Sequence, residues 1–459
     1  MTKPGSDDLY QDVISQFPFL NGYTHLLRIF EVPERVSRDD IFGAIEKAYS
    51  KLCTQVPWLA EQVIAVEKGD GSSVHMKSAP WPQSSPPNRV IRADKGTQLP
   101  SFSQLLESGC PFSSIPTEEI APCPGLPAPS HGLSPTPVMV VQATFIEGGV
   151  IINIGTHHNI IDGHGTLIIW NHLATLMSGG KLSEEDIKYA NLDRSRVVPL
   201  LPPGEPRRDY SHLFRPNPWP LGPPRPHIWA PFVMKWSSLD EIQSGLMMED
   251  GNAVPSNNDI LSAWCWKRIS TARLRSGQCN GKQVSKFGRA LDARRGIGMN
   301  TNYLGHMVMH AATYMTFDEI VEKSIGEIAT RLKADRELAT TEWSVRSYVT
   351  FLANVKDKST IMYGGLYNSE TDIGGSSLMH WAGRSRTLRM GVLGHSRAFR
   401  RAGGPTIPGC MYFFPSDSAE YVQIVLCTTK ETLAALEKDA EWPRHVDAPN
   451  VQYKNRCRL

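Results

Sequence analysis

Ten prolines fall between Pro199 and Pro226 of this 459-residue chain. Proline removes a backbone donor and stiffens the chain, so the stretch reads as a linker rather than as part of either core. It divides a sequence longer than one hydrophobic core usually organises. The expected partition is an N-terminal lobe over residues 1–195, a linker over 196–228 and a C-terminal lobe over 229–459.

Both halves mix helical and strand patterns. Ser37 caps an expected helix with Ile41, Ile45, Ala48 and Leu52 on one face, closed by Pro57. Pro111 to Pro137 reads as an irregular surface loop. Two β-rich runs follow, Val138 to Ile146 and Val150 to Gly155, and Glu147-Gly148-Gly149 suits the hairpin between them. Leu167 to Met177 reads as a helix ended by Gly179-Gly180. Beyond the linker, helices are expected over Asn258 to Arg273 and Glu431 to Ala440, with a strand over Tyr421 to Cys427. Val321, Ile325, Ile328 and Leu332 are read as one helical stripe. This interleaving places the fold in the α/β (α+β) class.

A formal net charge of +2 argues against a general nucleic-acid binder. No stretch is long and apolar enough to span a bilayer, and Met1 to Gln11 lacks the apolar core of a secretory signal. The reading is a cytoplasmic protein with no membrane partner. The eight cysteines (Cys53, Cys110, Cys123, Cys265, Cys279, Cys410, Cys427 and Cys457) form no Cys-x-x-Cys pair, so they are read as free thiols, several of them buried.

The segment Gly155-Thr156-His157-His158-Asn159-Ile160-Ile161-Asp162-Gly163-His164-Gly165 packs three histidines and an aspartate between a strand and a helix. Three readings compete: polar residues without a catalytic role, a metal site, and acid–base catalysis. Adjacent side chains on extended backbone point to opposite faces, and no further cluster of ligand residues completes a metal set. Imidazole titrates near neutrality, which suits proton transfer from a hydroxyl or amine.

His157-His158-x-x-x-Asp162-Gly163 resembles the HHxxxDG signature of chloramphenicol-acetyltransferase-like folds, which include the BAHD acyltransferases and peptide-synthetase condensation domains. Other segments fall in the family's order. Thr54-Gln55-Val56-Pro57-Trp58-Leu59-Ala60 resembles its P-x-L-A-G region, with Glu61 in place of the glycine. Ser256-Asn257-Asn258-Asp259-Ile260-Leu261-Ser262-Ala263 resembles S-x-N-D-x-L-x-A, and Asp292-Ala293-Arg294 resembles D-x-R. Thr371-Asp372-Ile373-Gly374-Gly375-Ser376-Ser377 resembles a fungal T-D-x-G-G-S-S segment. Leu393-Gly394 and Arg400-Arg401 look like remnants of the DFGWG-type region. The nearest resemblance is to trichothecene O-acetyltransferase-like members.

The resemblance implies two lobes, each a mixed sheet flanked by helices, with an active-site tunnel between them. It implies His158 as general base and Asp162 as a structural residue paired with an arginine. Ser376 lies at a position from which a hydroxyl reaches the oxyanion. Ser256, Asp292, Arg294, Arg295 and Ser377 fall near the coenzyme A channel, although Ser256 equally suits a helix N-cap and the arginines a solvated pair. The resemblance also implies that His157, Gly163 and Leu378 line the substrate pocket. The implied activity is acyl-CoA-dependent O-acyl transfer, with acetyl-CoA as co-substrate and a hydroxylated small secondary metabolite as acceptor. No permanently bound cofactor, metal or covalent acyl-enzyme is implied, and a monomer is expected. Two positions depart from the pattern. Arg389-Met390-Gly391 stands where Asp-Phe-Gly is usual, and an arginine there would repel the D-x-R arginine rather than pair with it. Leu378 replaces a common tryptophan. The departures keep three rivals open: a binding scaffold, a carrier-protein-dependent enzyme, and a non-transfer reaction such as cyclisation.

Overall fold

The computed structural model describes residues 12–67, 73–82, 89–111, 115–126, 135–195, 197–246, 254–381, 387–403, 405–416 and 418–449. Met1 to Gln11, Cys457 and residues 112–114 and 127–134 of the Pro111–Pro137 loop lie outside them.

Strands are numbered along the chain. The first sheet has the order β12 (Ala398–Arg401), β1 (Tyr23–Glu31), β7 (Gly149–His157), β6 (Met139–Ile146) and β4 (Val90–Gly96). A second, seven-stranded sheet has the order β10 (Val308–Thr316), β9 (Val284–Asp292), β11 (Ile373–Ser377), β13 (Cys410–Pro415), β14 (Tyr421–Thr428), β8 (Ile228–Lys235) and β15 (Val446–Asp447). A small sheet joins β3 (His75–Ala79), β2 (Gln62–Val66) and β5 (Thr136–Pro137). Each of the larger sheets is mixed: β4 runs parallel to β6, and β11 runs parallel to both its neighbours.

The β6–β7 hairpin is the centre of the first sheet. Its residues are apolar on both faces because both faces are covered. Ile152 and Ile154 pack into a core with Ile41, Ile45 and Leu52 of the helix Arg38–Gln55, and with Leu167 and Leu173 of the helix Gly163–Met177. Ile151 on the other face joins Leu27, Ile29 and Leu105. Gly148 turns the hairpin at φ 72°, a value glycine adopts without the clash a Cβ would bring. Ser37 caps the helix Arg38–Gln55 by accepting the Asp40 N–H, as its sequence indicates.

The structure departs from the sequence reading at three places. The stripe Val321–Leu332 is not one helix: Phe317–Glu322 ends, and Ile325–Ala339 begins behind a capping box between Ser324 and Glu327, leaving Val321 exposed. The Pro111–Pro137 loop carries a helical turn, Thr117–Ile120. The proline-rich segment is docked, not free of the cores. Leu201 and Arg208 donate their N–H groups to Thr350 Oγ1 and Ser347 Oγ of the helix Glu342–Asn354, at 2.8 Å each. Tyr210 and Leu213 are buried with Val345, Tyr348 and Leu352 of that helix.

The two halves interlock. β12 comes from beyond the proline-rich segment, yet it completes the first sheet by pairing antiparallel with β1, Leu26 opposite Arg401. Phe414 and Val425 of the second sheet pack into the core of the first. Among the described residues no helix is long and apolar enough to cross a membrane.

Candidate active site

β7 ends at His157, and the chain then makes a tight turn before the helix Gly163–Met177. The N–H groups of Ile160 and Ile161 both donate to His157 O at 3.0 Å. Asn159 fastens the turn to the N-terminal segment by donating from Nδ2 to Ser15 O at 2.5 Å and to Phe17 O at 3.4 Å. The two adjacent histidines diverge. His157 is 2 % exposed, edge-on to Tyr23 at 5.3 Å, and burial followed by the neighbouring His158 lowers its pKa to about 3.

His158 is half-buried, its N–H held by Gly22 O at 2.8 Å. Its Nδ1 lies 3.0 Å from Ile161 O. A carbonyl only accepts, so Nδ1 carries the proton and the Nε2 lone pair is left free. Burial pulls its pKa below the ordinary imidazole value and Arg401 adds to this, while the Ile161 bond and Asp162 oppose it. The ring is therefore neutral near pH 7.

Asp162 is fully buried and uses both oxygens. Oδ1 accepts the Gly165 N–H at 2.8 Å, which caps the helix Gly163–Met177. Oδ2 accepts the Met307 N–H at 2.8 Å, and Arg294 Nη2 lies 3.0 Å from each oxygen. Burial would raise this carboxyl's pKa, but Arg294 and the backbone donors hold it below the carboxylate range. Arg294 is itself fully buried and donates to Tyr303 O at 3.0 Å, Asp292 Oδ1 at 2.8 Å and Gly305 O at 2.6 Å. It thus sits at the junction of the lobes with no exposed atom to offer a cofactor. Arg389 is exposed and distant from this pair in role: its carbonyl accepts from Ser178 Oγ at 3.0 Å. Arg294 obtains its acids from Asp162 and Asp292 instead. Gly165 has a packing reason, since a Cβ there would collide with Leu304 O.

The second sheet contributes Ser376. In register, Ala290, Ser376 and Tyr412 form one row across β9, β11 and β13. Neighbours in such a row share a face. Phe414, two residues beyond Tyr412, packs into the first sheet's core, so this face looks toward the N-terminal lobe. Arg401 lies over Tyr412 at 5.0 Å. Ser376 is half-buried with no hydrogen bond from its hydroxyl among the described residues. Ser377 shares the opposite face with Phe413, and its Oγ accepts the Met379 N–H at 3.3 Å. Leu378 and Gly163 are brought together: a Cβ on Gly163 would stand 3.8 Å from Leu378 Cδ2.

Ser256 caps the helix Asn257–Arg275 through a capping box with Asp259. Arg295 is exposed at the start of the turn Arg295–Ile297. Neither hydrogen-bonds to the histidine loop. Among the described residues no three His, Cys, Asp or Glu side chains are grouped to hold a metal ion. A cavity of about 450 Å³ is lined by Tyr210, His310 and Tyr348 among others, and His158 does not line it. Of the histidines around the motif, His164 is counted in the sequence cluster without a role, and His306 escapes the sequence reading. His164 donates from Nε2 to Thr301 O at 2.8 Å and accepts from Trp381 Nε1 at 3.3 Å. His306 faces His158 with ring centroids 5.3 Å apart.

Comparisons with known proteins bear on the family and the fold. A Transferase family profile matches residues 124–442, and one described as a trichothecene 3-O-acetyltransferase-like N-terminal domain matches residues 23–176. The O-acetyltransferase SAT5 of Stachybotrys chartarum is 47 % identical over 98 % of both chains. The trichothecene 3-O-acetyltransferase TRI101 of Fusarium sporotrichioides is 26 % identical, covering 97 % of this chain and 98 % of its own. F. graminearum TRI101, solved with coenzyme A and deoxynivalenol, superposes with a TM-score of 0.87 at 25 % identity, over 95 % of this chain and 98 % of that one.

Proposed function

The chain belongs to the Transferase family, the BAHD acyltransferases, and from that premise we propose that it moves an acetyl group from acetyl-CoA to a hydroxyl of a secondary metabolite, with His158 as general base. The observation that carries the reading is the Nδ1–H to Ile161 O bond, which leaves Nε2 as the proton acceptor. Relatives named as O-acetyltransferases support acetyl as the transferred group.

In the proposed reaction His158 Nε2 takes the proton of the acceptor hydroxyl and the oxygen attacks the thioester carbonyl. Ser376, on the sheet face turned toward the N-terminal lobe, donates to the developing oxyanion. The C–S bond then breaks, and the thiolate receives the proton from His158. Holding both substrates together removes the need for a covalent acyl-enzyme. One copy of the chain supplies every residue named, which supports a monomer.

The test incubates the protein with acetyl-CoA and a metabolite extract, and mass spectrometry follows compounds gaining one acetyl group. His158→Ala is expected to lower turnover roughly 10²-fold or more. An alanine variant with near-normal turnover refutes the base. Acetyl-CoA binding without product points to an acceptor missing from the extract or to another acyl chain. The absence of both binding and product moves the reading to a carrier-protein donor, a non-transfer reaction or a binding scaffold.

A further inference from the structure

His306 has no part in the transfer just described, yet it is built into the site as firmly as His158. It lies between β9 and β10 and is 2 % exposed. Its N–H donates to Ile160 O at 3.0 Å, two residues beyond the base. The preceding residue, Gly305, bridges to Ile161 and accepts from Arg294 Nη2; the following one, Met307, donates to Asp162 Oδ2. The buried ion pair therefore grips both neighbours of His306 while it also caps the helix behind His158. One carboxylate and one guanidinium set the spacing of two imidazoles that come from opposite halves of the chain.

The hydrogen bonding of His306 fixes its tautomer. Val308 donates its N–H to Nδ1 at 3.4 Å, which leaves the proton of the neutral ring on Nε2. Nε2 has no hydrogen-bond partner among the described residues. Burial, then His158, Arg294 and His310, hold the ring well below the ordinary imidazole pKa, so it stays neutral where His158 is a base. A buried donor without an acceptor costs about 1–3 kcal/mol, and among the described histidines with an unpaired buried nitrogen His306 is the one whose ring lies 5.3 Å from that of His158. That distance is centroid to centroid, and the two rings are inclined at an angle of 56°.

We propose that His306 is a second catalytic residue, whose Nε2–H donates to the oxygen of the acceptor hydroxyl while that hydroxyl points its proton at His158 Nε2. The proposal rests on His158 being the base. One oxygen lone pair accepts from His306, and the other attacks the thioester carbon. The O–H bond breaks toward His158, the C–O bond forms, the C–S bond breaks, and the thiolate takes the proton from His158. His306 keeps its own proton throughout and contributes orientation.

Nitrogen-15 spectra of the full chain labelled at histidine read the tautomers without any substrate. Nε2–H in His306 and Nδ1–H in His158 are expected, and an Nδ1–H His306 overturns the proposal. Thiol release from acetyl-CoA, with 1-butanol as probe acceptor, then reads the role. His306→Ala is expected to lower kcat about 10- to 10²-fold, with KM for acetyl-CoA unchanged. His306→Gln keeps an N–H donor and is expected to recover most of that loss. Wild-type turnover in His306→Ala overturns the proposal, as does a folded glutamine variant as slow as the alanine one. A fully active His158→Ala enzyme overturns the parent reading instead and leaves the His306 tautomer as found.

Discussion

At the scale of single residues, the proposed chemistry turns on one carbonyl. Ile161 O holds the Nδ1 proton of His158, and burial keeps the ring neutral. A base works only when deprotonated, so activity is full above its pKa and lost as pH falls through it. The acid limb of kcat/KM is expected to have its midpoint below 6.5, the ordinary imidazole value. Arg401 is one of the groups lowering that pKa, so Arg401→Gln is expected to move the midpoint upward. A pH–rate profile of both enzymes checks this, and a midpoint above 6.5 in the parent, or a downward move in the variant, contradicts it. His158 and Asp162 were legible because their motif is contiguous. His306 was not, since a lone histidine in Tyr303-Leu304-Gly305-His306 carries no local pattern. Arg294 was visible as part of a motif, but only the fold shows that it closes on Asp162.

Among elements, the helix Gly163–Met177 begins at the residue that also joins the lobes. Asp162 is both its N-cap and the partner of Arg294. Asp162→Asn keeps the shape and a cap but removes the charge, leaving the buried guanidinium of Arg294 with Asp292 as its remaining acid. The expected loss is about 3–5 kcal/mol of stability, read as a lower urea midpoint. An unchanged midpoint would show the pair to be dispensable. Local signals located most helices well. The spacing of Ile41, Ile45, Ala48 and Leu52 carried the first one, and Ser37 its start. They failed at Val321–Leu332, where the stripe outweighed a start signal, Ser324 with Glu327, printed in the same stretch. Proline counting likewise marked the segment after residue 196 without showing that its free N–H groups find hydroxyls on the helix Glu342–Asn354.

For the whole molecule, buried histidines tie stability to pH. Burial holds His25 at about 4 and His157 and His310 at about 3. In the unfolded chain each takes a proton near 6.5, which the folded chain refuses until those lower values. The stability they permit is complete above pH 6.5 and is lost as pH falls, by about 1.4 kcal/mol per pH unit for each ring. Urea midpoints measured from about pH 7.5 to 4.5 are expected to drop steeply below 6.5; a flat series contradicts the assignment. The α/β class was visible in the interleaved patterns, but the crossing of β12 into the first sheet was not, because strand pairing at long range leaves no mark on Ala398–Arg401. That crossing works as a stitch. A chain stopped in the proline-rich segment would leave Leu26 to Ile29 as a bare edge, open to any stray strand. The halves are thus poor candidates for separate inheritance: recombination at the proline-rich segment would import a mismatched seam along with each new half.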